Sequence, residues 1–276
     1  MIKDIVVSLT LDAAHDPAAT YAVSLAEAFE AHVAGIAFAF EPVIAPAVMG
    51  GIPAEIIDSQ RAATKRAADD AVARFEQAAK RSGLSAEHRI LSATLAGAAD
   101  AFGRIARRFD LSVVGQGEPK TLAPQDLVIE AALFESGRPV IVVPYIHKGP
   151  LKLDRVVVAW DGSHTAARAI SDALPLLARA KMVEVLMVAG GRTKSDEVPG
   201  ADLGQHLARH GLRIDVKRIV STDVDVPNTI LSHVADTSTD FLVMGGYGHS
   251  RLREFVLGGA TRGILSSMTV PVLMSH

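Results

Sequence analysis

The chain has 276 residues, a formal net charge of −3 at neutral pH, 49% apolar residues and no cysteine. That charge gives no electrostatic case for nucleic acid or an anionic membrane as partner. The missing cysteine removes disulfides, thiolate nucleophiles, thiolate zinc sites and redox motifs together, and the length accommodates two domains of ordinary size.

The opening "MIKDIVVSLTLD" reads as a first strand and lacks the apolar core of a secretory leader. Asp16-Pro17 offers an N-cap with proline at the first helical position, so a helix is predicted through about Ala31. Glu41–Pro53 carries three prolines and a glycine pair and reads as a loop. Pro53 to Ser82 is Ala-rich and charged and stops at Gly83, which predicts one long, largely solvated helix with a single apolar stripe. Two further strands follow at "DLSVVGQGE" (Asp110–Glu118) and "RPVIVVP" (Arg138–Pro144), before Gly149-Pro150 breaks any regular element.

Beyond the break, Arg155–Trp160 is a strand, and Ser163 caps a helix toward Ala180 that Pro175 bends. Gly190–Gly200 is a loop whose glycines and Lys miss the Walker A spacing. Pro227 opens another helix toward Thr237, and Phe241–Met244 is a strand leading into "GGYGHSRLREFVLGGATRG". No uninterrupted apolar run reaches the roughly 20 residues that span a bilayer, so a soluble cytoplasmic protein without membrane or nucleic-acid partners is expected.

The chain repeats itself. "DIVVSLTLD" at Asp4 has a counterpart in "DRVVVAWDG" at Asp154, "DLSVVGQGE" at Asp110 in "DFLVMGGYG" at Asp240, and "RPVIVVP" in the final "VPVLMSH". The three pairs keep their order, which argues for duplication with domains at 1–147 and 151–276. This alignment superposes Asp4–Thr10 on Asp154–Trp160 and leaves the first half about twenty residues longer; Glu41–Pro53 is the predicted place for most of that excess. Strands of four to seven residues alternating with helices predict two small doubly wound α/β domains, each a parallel sheet covered on both faces. The strands Val140–Val143 and Val270–Met274 are expected at sheet edges, where the halves pair with each other or two chains form a homodimer.

In an open parallel sheet, ligands bind beyond the carboxyl ends of the strands, where the strand order reverses. Asp161 follows one such strand and the glycine stretch follows another. The stretch is either a strand-to-helix turn or a cradle whose amides meet phosphate; Asp161 either starts a helix or faces a ribose.

Gly245-x2-Gly248-x9-Gly258 reproduces the spacing G-x2-G-x9-G-(S/T), and with its strand, aspartate and final Pro-Val strand the chain resembles a tandem member of the universal stress protein family. The resemblance implies two Rossmann-like domains of the adenine nucleotide alpha hydrolase-like type, each with a five-stranded parallel sheet. Some family members bind ATP and others do not. It implies nucleotide contacts from Asp161, Val188, Gly245, Gly248, His249, Gly258, Gly259, Ala260 and Thr261, with ATP, with or without Mg, as cofactor. At the Ser/Thr position of the pattern this chain has Gly259, and Thr261 lies two residues on.

In the first half Gly115 remains, but Glu118 stands where the second motif glycine would be and would repel phosphate, so this half reads as a degenerate copy. "DGSH" places Ser163 and His164 beside Asp161, yet a triad is assembled by geometry and adjacency is no sign of one. His206 and His210 share the spacing of two zinc ligands, but Gly211 ends their helix at once and a solvated helix end is the plainer reading. Arg251 and Arg253 form either a solvated rim or phosphate contacts. The leading reading is a non-catalytic stress-response protein that binds an adenine nucleotide in its second domain as sensor or regulator. The alternative is an interaction or dimerisation module without nucleotide; phosphoryl transfer ranks last, because no metal-holding or nucleophile-orienting groups can be assigned.

Overall fold

The computed structural model describes residues 1–11, 15–41, 53–118, 125–190, 200–221, 225–247 and 259–276. The chain divides into two compact units, Ile2–Leu151 and Lys152–His276, with Met1 grouped with the second. Among the described residues no helix is long and apolar enough to cross a membrane.

The first unit runs β1 (Asp4–Ser8), α1 (Pro17–Phe29), β2 (His32–Phe40), α2 (Ala54–Arg81), β3 (Ala86–Ala93), α3 (Leu95–Ala106), β4 (Leu111–Gly115), α4 (Gln125–Glu135) and β5 (Val140–Val143). Its strands lie in the order β3-β2-β1-β4-β5, all parallel. β4 and β5 are buried along their whole length, as apolar runs covered on both faces must be. α1 packs on β1 and β4 and α2 on β2, while α3 and α4 pack together beside β3 and β4. Asp16 caps α1 as its sequence predicts, accepting from Ala19 N. Phe75 of α2 lies over Gly35 so closely that a Cβ there would sit 2.8 Å from the ring.

The second unit repeats the plan with β6 (Arg155–Ala159), α5 (His164–Leu177), β7 (Met182–Gly190), α6 (Ala201–Arg209), β8 (Ile214–Ser221), α7 (Val226–Asp236), β9 (Phe241–Gly245), α8 (Gly259–Ser267) and β10 (Val272–Ser275). Its order is β8-β7-β6-β9-β10, again parallel throughout. Ser163 caps α5 by accepting from Ala166 N, and the helix ends at Leu177, two residues after Pro175. His206 and His210 fall in the last turn and C-cap of α6, their rings edge to face, with Gly211 beyond at positive φ. The loop predicted over Gly190–Gly200 lies almost wholly outside the described residues.

Two expectations change. The excess length of the first half sits in a helix: α2 has 28 residues and its counterpart α6 has 9. Prolines and glycines mark Glu41–Pro53 as a loop, but the connections from β2 to α2 and from β7 to α6 are of similar length.

The repeat is also shifted by one residue. Asp4 pairs with His32 and Ile5 with Leu111, whereas Arg155 pairs with Met182 and Val156 with Phe241. Asp4 therefore corresponds to Arg155, not Asp154. The ladder's own bonds agree, with Asp110 N donating to Asp4 O and Asp240 N to Arg155 O. Matching one aspartate letter to another hides this, although a one-residue slip would turn every side chain of the strand to the other face. In the corrected register Thr10 corresponds to Asp161, Phe38 to Val188, Phe40 to Gly190 and Gly115 to Gly245.

Candidate functional site

The strand order of the second unit reverses between β6 and β9, so the segments leaving these two strands border one crevice. A cavity of about 240 Å³ lies there. It is lined by Asp161 and Trp160 after β6, Val188 of β7, Gly245 of β9, and Gly259, Ala260 and Thr261 at the start of α8. Ile230 of α7 and Leu186 of β7 add apolar wall. Six residues named from the sequence thus share one cavity: Asp161, Val188, Gly245, Gly259, Ala260 and Thr261. Gly248, His249 and Gly258 lie outside the described residues, as do Arg251 and Arg253.

Each residue has local work as well. Asp161 is exposed, and its Oδ1 accepts from Ser163 N at 2.9 Å, closing the turn ahead of α5. Among the described residues nothing bonds to its Oδ2. Ser163 is committed to the cap, with Thr165 Oγ1 3.1 Å from its hydroxyl, so the adjacent Ser and His form no triad with Asp161.

Gly245 is bare because a helix needs the space. A Cβ there would stand 2.6 Å from both Ala166 N and Thr165 Oγ1. Close helix-to-strand packing therefore demands glycine at this position before any ligand is considered. Gly259 is the opposite case: a Cβ on it would meet no described atom within 4 Å. It begins the first turn of α8, where backbone N–H groups have no helical partner and carry partial positive charge.

Thr261 is buried, and its Oγ1 accepts from Tyr247 N at 3.1 Å. The hydroxyl thus ties the chain leaving β9 to the start of α8. Tyr247 adopts φ of +49°, an unusual conformation for a bulky residue, and is held there by this bond and by burial. Sequence reading missed this role, since the partners are brought together by the fold across a segment that carries no periodic signal.

Among the described residues no group of three His, Asp or Glu side chains is placed to hold a metal ion. One buried ionic cluster lies outside the cavity and left no local sign in the sequence. Glu184 on β7 is bonded to His233 on α7 and stands 3.4 Å from Arg155 Nη1 on β6.

The universal stress protein family model matches residues 152–276. This half of the chain is a universal stress protein domain. The match takes in a little under half of the chain. A universal stress protein of Synechocystis is 29% identical over 174 residues, an alignment spanning 60% of this chain and 57% of that relative. The fold resembles that of a universal stress protein from Archaeoglobus fulgidus, with a TM-score of 0.74 at 17% identity over 98% of this chain and 95% of the other. A second structure, a universal stress protein from Pseudomonas aeruginosa, gives 0.64 at 16% identity over 99% and 93%. At such identities the structures speak for the fold, while the family model covers the universal stress protein domain that holds the cavity.

Proposed function

We propose that the second unit binds ATP or a related adenine nucleotide at the ends of β6 and β9, as a non-catalytic sensor or regulator in a stress response. The observation that carries this reading is the single cavity that gathers Asp161, Val188, Gly245, Gly259, Ala260 and Thr261. Trp160, Leu186, Val188 and Ile230 supply apolar wall for a base, and Asp161 Oδ2 is free to accept from a ribose hydroxyl. The first amides of α8 suit phosphate, with Gly259 leaving room for oxygens against the main chain. Gly248, His249 and Gly258 complete the loop in this proposal, and Mg enters only as the counter-ion that phosphates carry. The first unit is read as a degenerate copy: Thr10, Phe38 and Glu118 stand where the second unit has Asp161, Val188 and Gly248.

One observation favours the alternative, an interaction module without nucleotide. Gly259 offers no hydroxyl at the Ser/Thr position of the pattern, which forgoes a bond to a charged group of about 1.5–3 kcal/mol, a tenfold or larger loss of affinity. Calorimetry with ATP on the full chain separates the two. Nucleotide binding predicts measurable heat, abolished by Val188→Phe, which imports the first unit's own side chain, and strengthened by Gly259→Ser. If ATP gives no heat even with Gly259→Ser, the interaction module is the correct reading; ATP affinity unchanged by Val188→Phe would instead take the nucleotide out of this cavity.

A further inference from the structure

The first unit has a cavity of its own, about 230 Å³, at the ends of β1 and β2. We propose that it binds a small neutral arene bearing one hydroxyl, a phenol, and that this binding is independent of any nucleotide in the second unit. Its walls include Leu9, Phe38, Phe40 and Val128, with Thr10 and Gln125 among the polar residues.

Register explains how the cavity acquired this character. Thr10 takes the place of a carboxylate, and Phe38 and Phe40 take the places of Val188 and Gly190, so an anionic, roomy corner has become neutral and aromatic. Phe38 and Phe40 stack with ring centroids 6.4 Å apart, presenting aromatic faces and edges that favour a third ring over an alkyl chain. An apolar cavity of about 150 Å³ already admits benzene, so this volume suits one substituted ring.

Gln125 supplies the polar half of the argument. Its Oε1 is buried and, among the described residues, has no hydrogen-bond partner. An acceptor removed from water without a donor is costly, and a hydroxyl on the ligand would satisfy it. Phosphate is disfavoured here, since Glu118 follows β4 at the position of Gly248 and adds negative charge.

Phenol and toluene, titrated separately into the full chain by calorimetry with amide chemical shifts as the second readout, test this assignment. Phenol should saturate, shifting amides around Phe38 and Gln125, and bind more tightly than toluene. Gln125→Leu should weaken phenol about tenfold, one hydrogen bond's worth, and change toluene less than about twofold. Thr64→Phe, made on a helix face near the cavity, should weaken both ligands, and Val188→Phe neither. The proposal is overturned if phenol does not saturate, if Gln125→Leu weakens both ligands equally, or if Val188→Phe or excess ATP displaces phenol. The last result would move phenol to the second unit, whereas failure of ATP to bind at all would leave this proposal standing.

Discussion

His233 of α7 donates from Nε2 to Oε1 of Glu184 on β7, and both side chains are buried. At the corresponding places the first unit has Phe102 and Ala34, also buried, as follows from the β2 and β7 registers and from the matching caps Thr94 and Asp225. One half thus joins helix to strand by a buried hydrogen-bonded polar pair and the other by a large and a small apolar residue. Removing one partner of a buried pair costs about 3–5 kcal/mol, whereas exchanging both for well-packed apolar groups is often neutral. Glu184→Ala and His233→Ala should each lower stability by about that much, and Glu184→Ala with His233→Phe should return to within about 1 kcal/mol of the parent. Trp160 is the chain's one tryptophan, so its fluorescence during denaturation reads the second unit. A double variant as unstable as the sum of its singles would contradict this equivalence.

Gly245 and Gly115 occupy the same strand position and differ in tolerance. A Cβ on Gly245 would press to 2.6 Å against backbone, whereas one on Gly115 meets its nearest atom at 3.5 Å. Gly245→Ala should destabilise the second unit by about 1–3 kcal/mol, the usual cost of overpacking. Gly115→Ala should be neutral or stabilise by a few tenths of a kcal/mol through the unfolded chain. Equal losses in paired denaturation curves would refute the distinction.

Thr261→Val keeps the shape of the side chain and removes its hydrogen bond to the N–H of Tyr247. The expected loss is about 0.5–1.5 kcal/mol, one hydrogen bond's worth. Faster hydrogen exchange at Tyr247, with the amides of β6 unchanged, is the accompanying signature. Unaltered exchange at Tyr247 would mean the hydroxyl does not hold the loop.

Asp16 yields a pH prediction. Burial raises its carboxyl above the usual range, opposed by the backbone bonds from Thr10 and Ala19 and by the charge of Arg74. The folded state therefore holds this proton to higher pH than the unfolded chain does. Its contribution to stability is full below the ordinary carboxyl value of about 3.9 and is lost as pH rises through the raised folded value. Relative to Asp16→Asn, which cannot titrate, the parent should lose stability as pH rises above about 4. A difference that stays flat or grows with pH in circular-dichroism melts would count against this.

Much of this was legible in the sequence because it is local. Asp16-Pro17, Ser163 and Gly83 mark helix ends by their own chemistry, and the runs before Gly115 and Gly245 mark buried strands. The strand-end location of Asp161 and Gly245 follows from the same pattern. The one-residue register was hidden because it is set by ladder bonds between strands remote in sequence, while aspartates at 4 and 154 invite a match by letter. The Glu184–His233 pair escaped for the same reason, as neither residue disturbs the periodicity of its own element. Proline and glycine drew the extra length to Glu41–Pro53, although an Ala-rich helix can lengthen without any punctuation at all.

That lengthened helix bears on how a guest would enter and leave the first cavity. The buried residues of α2 lie between Ala67 and Ala79, and everything from Ala54 to Arg66 is exposed or half-buried, including Thr64, which lines the cavity. A free-standing stretch of that length is marginal as a helix, steadied here by its continuation into the packed turns and by pairs such as Lys65 with Asp69. If that wall opens by local helix–coil exchange, the expected relaxation is about 0.1–1 μs, as for a short helix. The residence time of a proposed guest would then follow from how tightly it is held, with no need to unfold the sheet.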